Sequence, residues 1–153
     1  MSEPRRRRLK RALSRASERR LVNPIVRRLV LAGRLGSTYA VLETTGRRTT
    51  RRRRTPVANG LRGETFWLIS AHGRHAHYVH NLLADPRVRV GIADGRRLQW
   101  HHGTARPLWD DDARARQREL GRGRLGYRLD GALLRSVATE MTTVRIDLKA
   151  ESL

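Results

Sequence analysis

Two strand-like segments joined by a hairpin signal lie in the middle of the sequence. RVRVGIA (87–93) alternates apolar and polar residues, which is the pattern of a strand with one buried face. Asp94-Gly95 follows, a dipeptide typical of two-residue hairpin turns. RRLQWHHGTARPLW (96–109) then continues as a long strand, in which Gly103 predicts a bulge. The hairpin predicts an antiparallel sheet with one face buried against a core.

Further strands and short helices flank this hairpin. β-branched and apolar residues predict strands at TYAVLETT (38–45), TPVANGL (55–61), ETFWLISA (64–71) and TTVRIDL (142–148). Helices are predicted over 75–84, from the acidic cap Asp110–Asp112 through Leu120, and over 127–139. The pattern favours a mostly β, α+β fold: a small barrel of about six antiparallel strands decorated with helices. A doubly wound parallel sheet would alternate strand and helix regularly, and this chain does not.

The beginning of the chain has a different character. Residues 5–21 surround a thin apolar stripe with arginines, which predicts a basic amphipathic helix or an unstructured arm. Asn23-Pro24 then provides a helix start signal, and the apolar residues that follow predict a second helix ending at Gly33 or Gly36. We therefore divide the chain into a basic arm, residues 1–22, and a barrel domain, residues 23–150.

The charge of the chain is concentrated near its start. The formal net charge is +20, and residues 1–54 hold 18 Lys or Arg against 3 Asp or Glu. Such a field attracts anions: nucleic acid, anionic lipid, or a phosphorylated or carboxylate-rich ligand. The chain has no Cys, which excludes disulfides and thiolate chemistry. Since no apolar segment approaches a membrane span and no secretory signal follows the basic start, a cytoplasmic location is expected.

The densest charge lies in a predicted loop between two strands. Six of the thirteen residues in TTGRRTTRRRRTP (44–56) are Arg, and Thr residues bracket them. Arginine forks match phosphate and carboxylate oxygens, and Thr hydroxyls and loop amides add neutral donors. A solvated hairpin tip is the alternative. Gathering like charges on a short loop without an anion to offset them costs free energy, so we interpret the segment as a polyanion-binding loop.

Three segments resemble the deazaflavin-dependent nitroreductase and quinone reductase family. LETTGRRTTRRRRTPV (42–57) is similar to the family's Thr-Thr-Gly-Arg-Arg/Lys-Ser-Gly-x-x-Arg-x-x-Pro motif. HGRHAHYVHNLLADPRVRV (72–90) resembles its Gly-Arg-x-Ala-x-Trp-Val-x-Asn-Leu-x-Ala-x-Pro block. HHGTARPLWDDDARARQREL (101–120) is like the closing strand and helix of one of its subgroups. The segments occur in the family's order and cover roughly residues 24–148.

The resemblance implies a fold, a coenzyme and a reaction. The implied fold is a split β-barrel of the FMN-binding type, here with an N-terminal helical extension. The implied coenzyme is F420, an 8-hydroxy-5-deazaflavin with a phosphodiester and a polyglutamate tail. The implied reaction transfers a hydride from the reduced coenzyme to a small organic acceptor: a quinone, a nitro compound or an enone. Split barrels of this kind often dimerise, so a homodimer is also expected.

The resemblance also assigns roles to individual residues. The residues implied to grip the phosphodiester and tail are Arg47, Arg48, Thr49, Arg51, Arg52 and Arg53. Those implied to line the ring and ribityl chain are Thr55, Pro56, Ser70, Ala71, His72, Gly73, Tyr78 and Asn81. Tyr127 and Tyr78 are the candidate catalytic residues, as proton donors or as hydroxyls that orient the acceptor. Two positions depart from the family pattern, because Thr50 replaces a Gly and Tyr78 replaces a Trp.

Three alternatives follow from the residues themselves. A nucleic-acid-binding module fits the charge, but single-strand binding needs exposed aromatics among the basic residues, and the loop and arm contain none. A protein that binds the coenzyme without catalysis fits the same motifs. Peripheral attachment to the inner face of an anionic membrane, through the basic arm, is compatible with either. His72, His75, His77 and His80 crowd together without a recognised ligand pattern, so no metal site is predicted.

Overall fold

The computed structural model describes residue 28 and residues 36–124, 127–128 and 138–150. Seven strands form one antiparallel sheet in the order β2-β1-β5-β6-β7-β4-β3. The strands are β1 (Tyr39–Thr45), β2 (Arg52–Ala58), β3 (Leu61–Arg62), β4 (Thr65–Ser70), β5 (Arg87–Asp94), β6 (Arg97–Leu108) and β7 (Thr142–Leu148). The helices are α1 (His77–Ala84) and α2 (Ala113–Leu120), with short 3-10 turns at Gly36–Thr38 and Gly73–His75.

Alternation along the strands gives the sheet an apolar inner face. Residues that lie directly opposite each other on paired strands share a face, as Leu42 does with Val90. Leu82 of α1 joins the same cluster, so α1 packs on the inner face. The buried members of this core are Ala40, Leu42, Val57, Phe66, Leu68, Leu82, Val88, Val90, Ala105, Val144 and Ile146.

The sheet closes on itself at one end. β2 and β3 stand at opposite ends of the strand order, yet only Asn59 and Gly60 separate them in sequence. Two residues cannot span a flat seven-stranded sheet, so its edges must curl together there. The Trp67 amide donates to the Gly60 carbonyl at 3.0 Å. A Cβ at position 60 would lie 1.8 Å from the Trp67 carbonyl oxygen, so only glycine fits at this closing point, the closed end.

The opposite end of the barrel stays open. β2 runs toward the closed end and β4 runs away from it, so Arg52 and Ser70 both lie at the open end. The described pairings leave β2 and β4 unpaired with each other there. The β1–β2 loop, the segment after β4 and helix α1 gather around this opening.

Helix α2 covers part of the outer face, opposite the core. The Asp112 carboxylate caps it by accepting from the Ala115 amide at 3.0 Å, as the acidic cluster predicts. Asp111 accepts from the Thr143 hydroxyl at 2.7 Å and from Arg116 at 3.1 Å, which joins the helix to β7. The Arg116 hydrogen bond holds the pKa of the Asp111 carboxyl below its usual range. Arg116 also stacks on Trp67, 4.2 Å from the ring centroid.

Most strand predictions are confirmed, and the antiparallel sheet curls as a half-barrel with two helices. Three details are wrong. The strand predicted over 55–61 is interrupted, because Asn59 and Gly60 separate β2 from β3. The loop predicted to extend to Arg54 ends at Arg51, because Arg52, Arg53 and Arg54 pair with β1. Gly103 makes no bulge: it pairs in regular register with Val88 and Leu148. A Cβ there would meet the Ile146 methyl at 2.8 Å, so this glycine serves close packing instead.

Several predictions fall outside the described residues. They are the arm over 5–21, the helix after Asn23-Pro24 apart from the exposed, helical Arg28, and most of the helix over 127–139. Tyr127 and Arg128 are helical. No helix in the described part of the chain is both long and apolar enough to cross a membrane.

Candidate functional site

The β1–β2 loop forms a tight turn at the open end. The Gly46 amide donates to the Arg51 carbonyl at 2.8 Å, and the Thr50 amide donates to the Gly46 carbonyl at 2.8 Å. Thr50 has a φ of 58°, in the left-handed region that β-branched residues rarely adopt. The family pattern has Gly at this position, so the turn keeps a glycine-type conformation although the residue has changed.

Replacing Thr50 with Gly should therefore stabilise the protein. A left-handed conformation costs a non-glycine residue about 1–2 kcal/mol, which the flexibility of glycine in the unfolded chain partly offsets. We expect a net gain of roughly 0.5–1 kcal/mol in the free energy of unfolding, measured by urea denaturation. Thr50→Ala retains the unfavourable φ and serves as the control. If Thr50→Gly is no more stable than Thr50→Ala, the left-handed turn is not strained.

A buried carboxylate, Glu43, binds some of the arginines of this region. Glu43 on β1 is only 4% exposed and lies on the outer face. It accepts from Arg54 Nε at 2.9 Å and from Arg89 Nε at 2.8 Å, while Arg52 lies 3.7 Å away. Burial would raise the pKa of the Glu43 carboxyl, but the hydrogen bonds from Arg54 and Arg89 outweigh it and hold that pKa below its usual range. Arg52 and Arg54 lie on this outer face because of their register with β1, and Glu43 therefore meets both of them there.

Trp100 completes this outer-face cluster. The guanidinium groups of Arg54 and Arg89 lie 4.8 Å and 4.9 Å from its ring centroid. The ring lies over Gly91, where a Cβ would meet it at 3.1 Å. Residues from β1, β2, β5 and β6 thus form one row across four strands, at the base of the β1–β2 loop, residues 46–51, which we call the arginine loop. The cluster is not predictable from the sequence, because its members are dispersed along the chain and only strand register aligns them.

The other arginines of this region, three in the loop and Arg53 on β2, divide into those with a hydrogen-bond partner and those without one. Arg47 donates to the Asn81 side-chain oxygen from its backbone amide at 3.2 Å and from its guanidinium at 3.1 Å. Arg53 Nη2 lies 3.5 Å from the Thr49 hydroxyl. The exposed guanidinium groups of Arg48 and Arg51 form no hydrogen bond or ion pair with another described residue. These two are the arginines of the loop most available to an external anion.

The end of β4 forms the second part of the site. Ser70, Ala71, His72 and Gly73 are all buried. The Thr139 amide donates to the Ala71 carbonyl at 3.0 Å, and His72 Nδ1 lies 3.2 Å from the Thr139 hydroxyl. Backbone from the segment before β7 therefore covers this strand end. Gly73 turns the chain with a φ of 49° and leads into the 3-10 turn and α1.

The remaining predicted site residues separate in space. Tyr78 is half-buried on α1 and packs against the core at the open end. Tyr127 is buried beneath Arg124, which also donates to the Asn59 carbonyl at 2.7 Å, so Tyr127 lies toward the closed end. Thr55 and Pro56 point to opposite faces of β2, and only Thr55 shares the inner face with α1.

Trp109, which was not among the predicted site residues, also lies near the open end. Trp109, after β6, is 41% exposed, and the guanidinium of Arg74 stacks 4.5 Å from its ring centroid. Arg74 directly follows the buried strand end at Gly73.

The described residues contain no group of three or more His, Cys, Asp or Glu side chains that could hold a metal ion.

The comparison with protein families gives one match. A family described as F420H(2)-dependent quinone reductase matches residues 11–131. This range includes the arginine loop, the end of β4, both helices and Tyr127. A comparison with curated protein sequences gives no significant match.

Solved structures share the fold at low sequence identity. An F420-H2 dependent reductase superposes with a TM-score of 0.53 at 20% identity, over 75% of this chain and 96% of that one. A structure described as a domain-swapped dimer gives 0.53 at 19% identity, over 75% and 82%. A putative pyridoxamine 5'-phosphate oxidase from Listeria innocua gives 0.51 at 13% identity, over 74% and 85%. The fold is therefore the split barrel of the FMN-binding type.

Proposed function

The chain belongs to the F420H(2)-dependent quinone reductase family, and we propose that it uses reduced coenzyme F420 to reduce a small organic acceptor, a quinone, a nitro compound or an enone. The observation that carries this proposal is the pair of guanidinium groups, Arg48 and Arg51, that have no partner among the described residues and stand on a hydrogen-bonded turn at the open end of the barrel. A coenzyme with a phosphodiester and several glutamates offers the anions that these groups lack.

The residues around the turn fit such a tail. Arg48 and Arg51 would take its anionic oxygens as charge-assisted donors, with Arg47 and Arg53 held close behind them by Asn81 and Thr49. A single phosphate would use only part of this surface. Strand register places Arg52 and Arg54 on the outer face beside Glu43, so we leave them out of the binding set.

The ring would lie where the open end meets the end of β4. When bound, the reduced deazaflavin supplies the hydride. Residues Ser70–Gly73 and the inner-face Thr55 would form a wall for the ring, and their burial would keep water away from it. Tyr78, half-buried on α1, is the residue we propose to orient the acceptor or to supply a proton. We do not assign that role to Tyr127, because its ring lies beneath Arg124, which donates to the Asn59 carbonyl at the closed end.

Three broader features belong to the same proposal. A cytoplasmic enzyme of this kind would form a homodimer, as the domain-swapped dimer of similar fold does. The barrel would lie within residues 23–150. The basic arm, residues 1–22, would attach the protein to an anionic membrane surface by charge, with each basic residue near the surface contributing about 1 kcal/mol.

The coenzyme assignment predicts a clear preference between two ligands. F420 with its glutamate tail should bind at least about tenfold more tightly than flavin mononucleotide, since the extra anions reach arginines that one phosphate leaves unused. Fluorescence quenching measures both dissociation constants. The ratio of the two dissociation constants should fall as the salt concentration rises, because screening weakens the contacts between the arginines and the tail. Equal affinity at low salt would count against a tail-binding loop.

Turnover separates catalysis from storage and from nucleic-acid binding. Reduced F420 should be oxidised by the protein in the presence of a menaquinone analogue, a nitroaromatic compound or an enone, followed by the return of deazaflavin absorbance. Tight coenzyme binding without turnover on any of the three would favour a coenzyme-binding protein. Tight DNA or RNA binding without coenzyme binding would favour the nucleic-acid module instead.

A further inference from the structure

Asn81 is a buried polar residue that connects α1 to the arginine loop. It is 5% exposed. Its side-chain oxygen accepts from the Arg47 amide at 3.2 Å and from the Arg47 guanidinium at 3.1 Å. Its side-chain nitrogen donates to the Thr44 hydroxyl at 3.2 Å. The oxygen thus has both of its acceptor sites occupied within the protein.

These contacts determine what Asn81 can do. Since its oxygen is occupied and its side chain is buried, Asn81 is badly placed to recognise a ligand directly. Arg47, by contrast, is exposed and stands at the first position of the turn, directly before Arg48. The Arg47 amide is held by a side chain from a different element, 34 residues away. The start of the turn is therefore held from α1 as well as by the hydrogen bonds that Gly46 makes within the turn.

Helix α1 also reaches the other part of the site. It follows the buried end of β4 after the short turn at Gly73–His75, and its own last turn includes Asn81, whose carbonyl accepts from the Asp85 amide at 2.9 Å. Val79 and Leu82 anchor the helix in the interior. Because the helix is packed firmly into the interior, a loop that is hydrogen-bonded to one of its side chains is held in a defined position.

We propose that Asn81 is a positioning residue: through Arg47 and Thr44 it fixes the β1–β2 loop so that Arg48 and Arg51 meet the anionic tail of the coenzyme. The inference rests on the proposed function. It replaces the direct coenzyme contact that the family resemblance implies for Asn81. It also gives a reason for the placement of the loop's three arginines, because a buried neutral amide holds Arg47, the first of them.

The test uses Asn81→Leu, which keeps the approximate volume but removes both hydrogen-bonding groups. Two ligands are compared by fluorescence titration: F420, and the deazaflavin nucleoside without the phosphodiester and glutamate tail. We expect the dissociation constant for F420 to rise at least about tenfold, and the constant for the tail-less nucleoside to change less than about twofold. At saturating coenzyme, kcat should stay near that of the wild type, so the defect appears in KM.

A second measurement needs no coenzyme. Amide hydrogen exchange, read on the peptide that contains Arg47, should be faster in Asn81→Leu, because the Arg47 amide loses its acceptor. Val79→Ala is the matched control: it lies on the same helix and is fully buried, but it leaves the hydrogen-bonding groups of Asn81, Arg47 and Thr44 in place. It should lower the stability of the protein without weakening F420 binding selectively.

If Asn81→Leu does not fold, Thr44→Val removes the second contact and should give the same selective defect in milder form.

The outcomes separate the inference from the function it rests on. Equal weakening of F420 and the tail-less nucleoside in Asn81→Leu, or the same selective loss in Val79→Ala, would overturn the positioning role while leaving the coenzyme assignment intact. A wild-type protein that binds neither ligand would overturn the proposed function itself. Unchanged exchange at Arg47 would show that Asn81 does not hold the loop.

Discussion

Replacing Arg48 and Arg51 together with alanine is expected to weaken F420 binding at least about hundredfold, or ~2.8 kcal/mol. Each charge-assisted contact contributes about 1.5–3 kcal/mol, and these two guanidinium groups have no competing partner among the described residues. Their whole hydrogen-bonding capacity is therefore available to the ligand. The measurement is the dissociation constant from fluorescence quenching, at low salt and again at high salt, where the loss should be smaller.

The matched control is Arg96→Ala with Arg97→Ala. These residues are exposed in the β5–β6 hairpin, at the closed end of the barrel. The control removes the same formal charge far from the open end, so it reports the effect of net charge alone. We expect it to change the dissociation constant by less than about threefold. A control that loses as much affinity as the loop variant would mean that diffuse charge, and not the turn, attracts the coenzyme.

Replacing Glu43 with Gln should destabilise the fold by about 2–3 kcal/mol. The carboxylate is buried, and its loss leaves Arg54 and Arg89 close together without a counter-charge. Removing one partner of a fully buried pair costs roughly 3–5 kcal/mol, and we expect less here because Arg54 is about half exposed and can reach water. Urea denaturation at neutral pH measures the change in the free energy of unfolding.

The same substitution should change the response to acid. Because the folded pKa of Glu43 lies below its ordinary value of 4.5, the carboxylate stabilises the folded state fully above that pH. The stabilisation is lost as the pH falls through the lowered pKa of the folded state. The difference between wild type and Glu43→Gln should therefore be largest at neutral pH and should shrink in acid. A difference that is independent of pH would show that packing, not charge, causes the loss.

Asp147→Asn is the control for this series. Asp147 pairs with Arg145 at 2.8 Å, but both side chains are well exposed. Exposed pairs contribute about 0–1 kcal/mol, so this variant should lie close to the wild type at every pH. If the two variants lose equal stability, the buried cluster around Glu43 has no special role. If Glu43→Gln also weakens F420 binding, the outer-face cluster helps to hold the arginine loop.

The sequence by itself determined the strands, the helix cap and the coenzyme class. Alternation over 87–93 and the apolar, β-branched run over 64–71 each predicted a strand that the structure contains. Asp112 was recognisable as a helix cap because capping depends on residues only three apart. The same holds for the family motifs, which are contiguous and lie within the region that the family match covers. Local chemistry decides all of these features, so the linear order of residues was sufficient.

Only the tertiary structure decided how the arginines are used. Six of them look equivalent in the sequence, yet strand register places Arg52 and Arg54 beside Glu43 and leaves Arg48 and Arg51 free. The role proposed for Asn81 depends on a contact across 34 residues, and the position of Tyr127 is recognised only through Arg124, which lies over its ring and donates to the Asn59 carbonyl. Side-chain direction in a strand reverses with every residue. Because the predicted strand began three residues later than β2 does, the sequence did not indicate which guanidinium groups face the outer side of the sheet. Long-range pairing supplies that information, and no local pattern contains it.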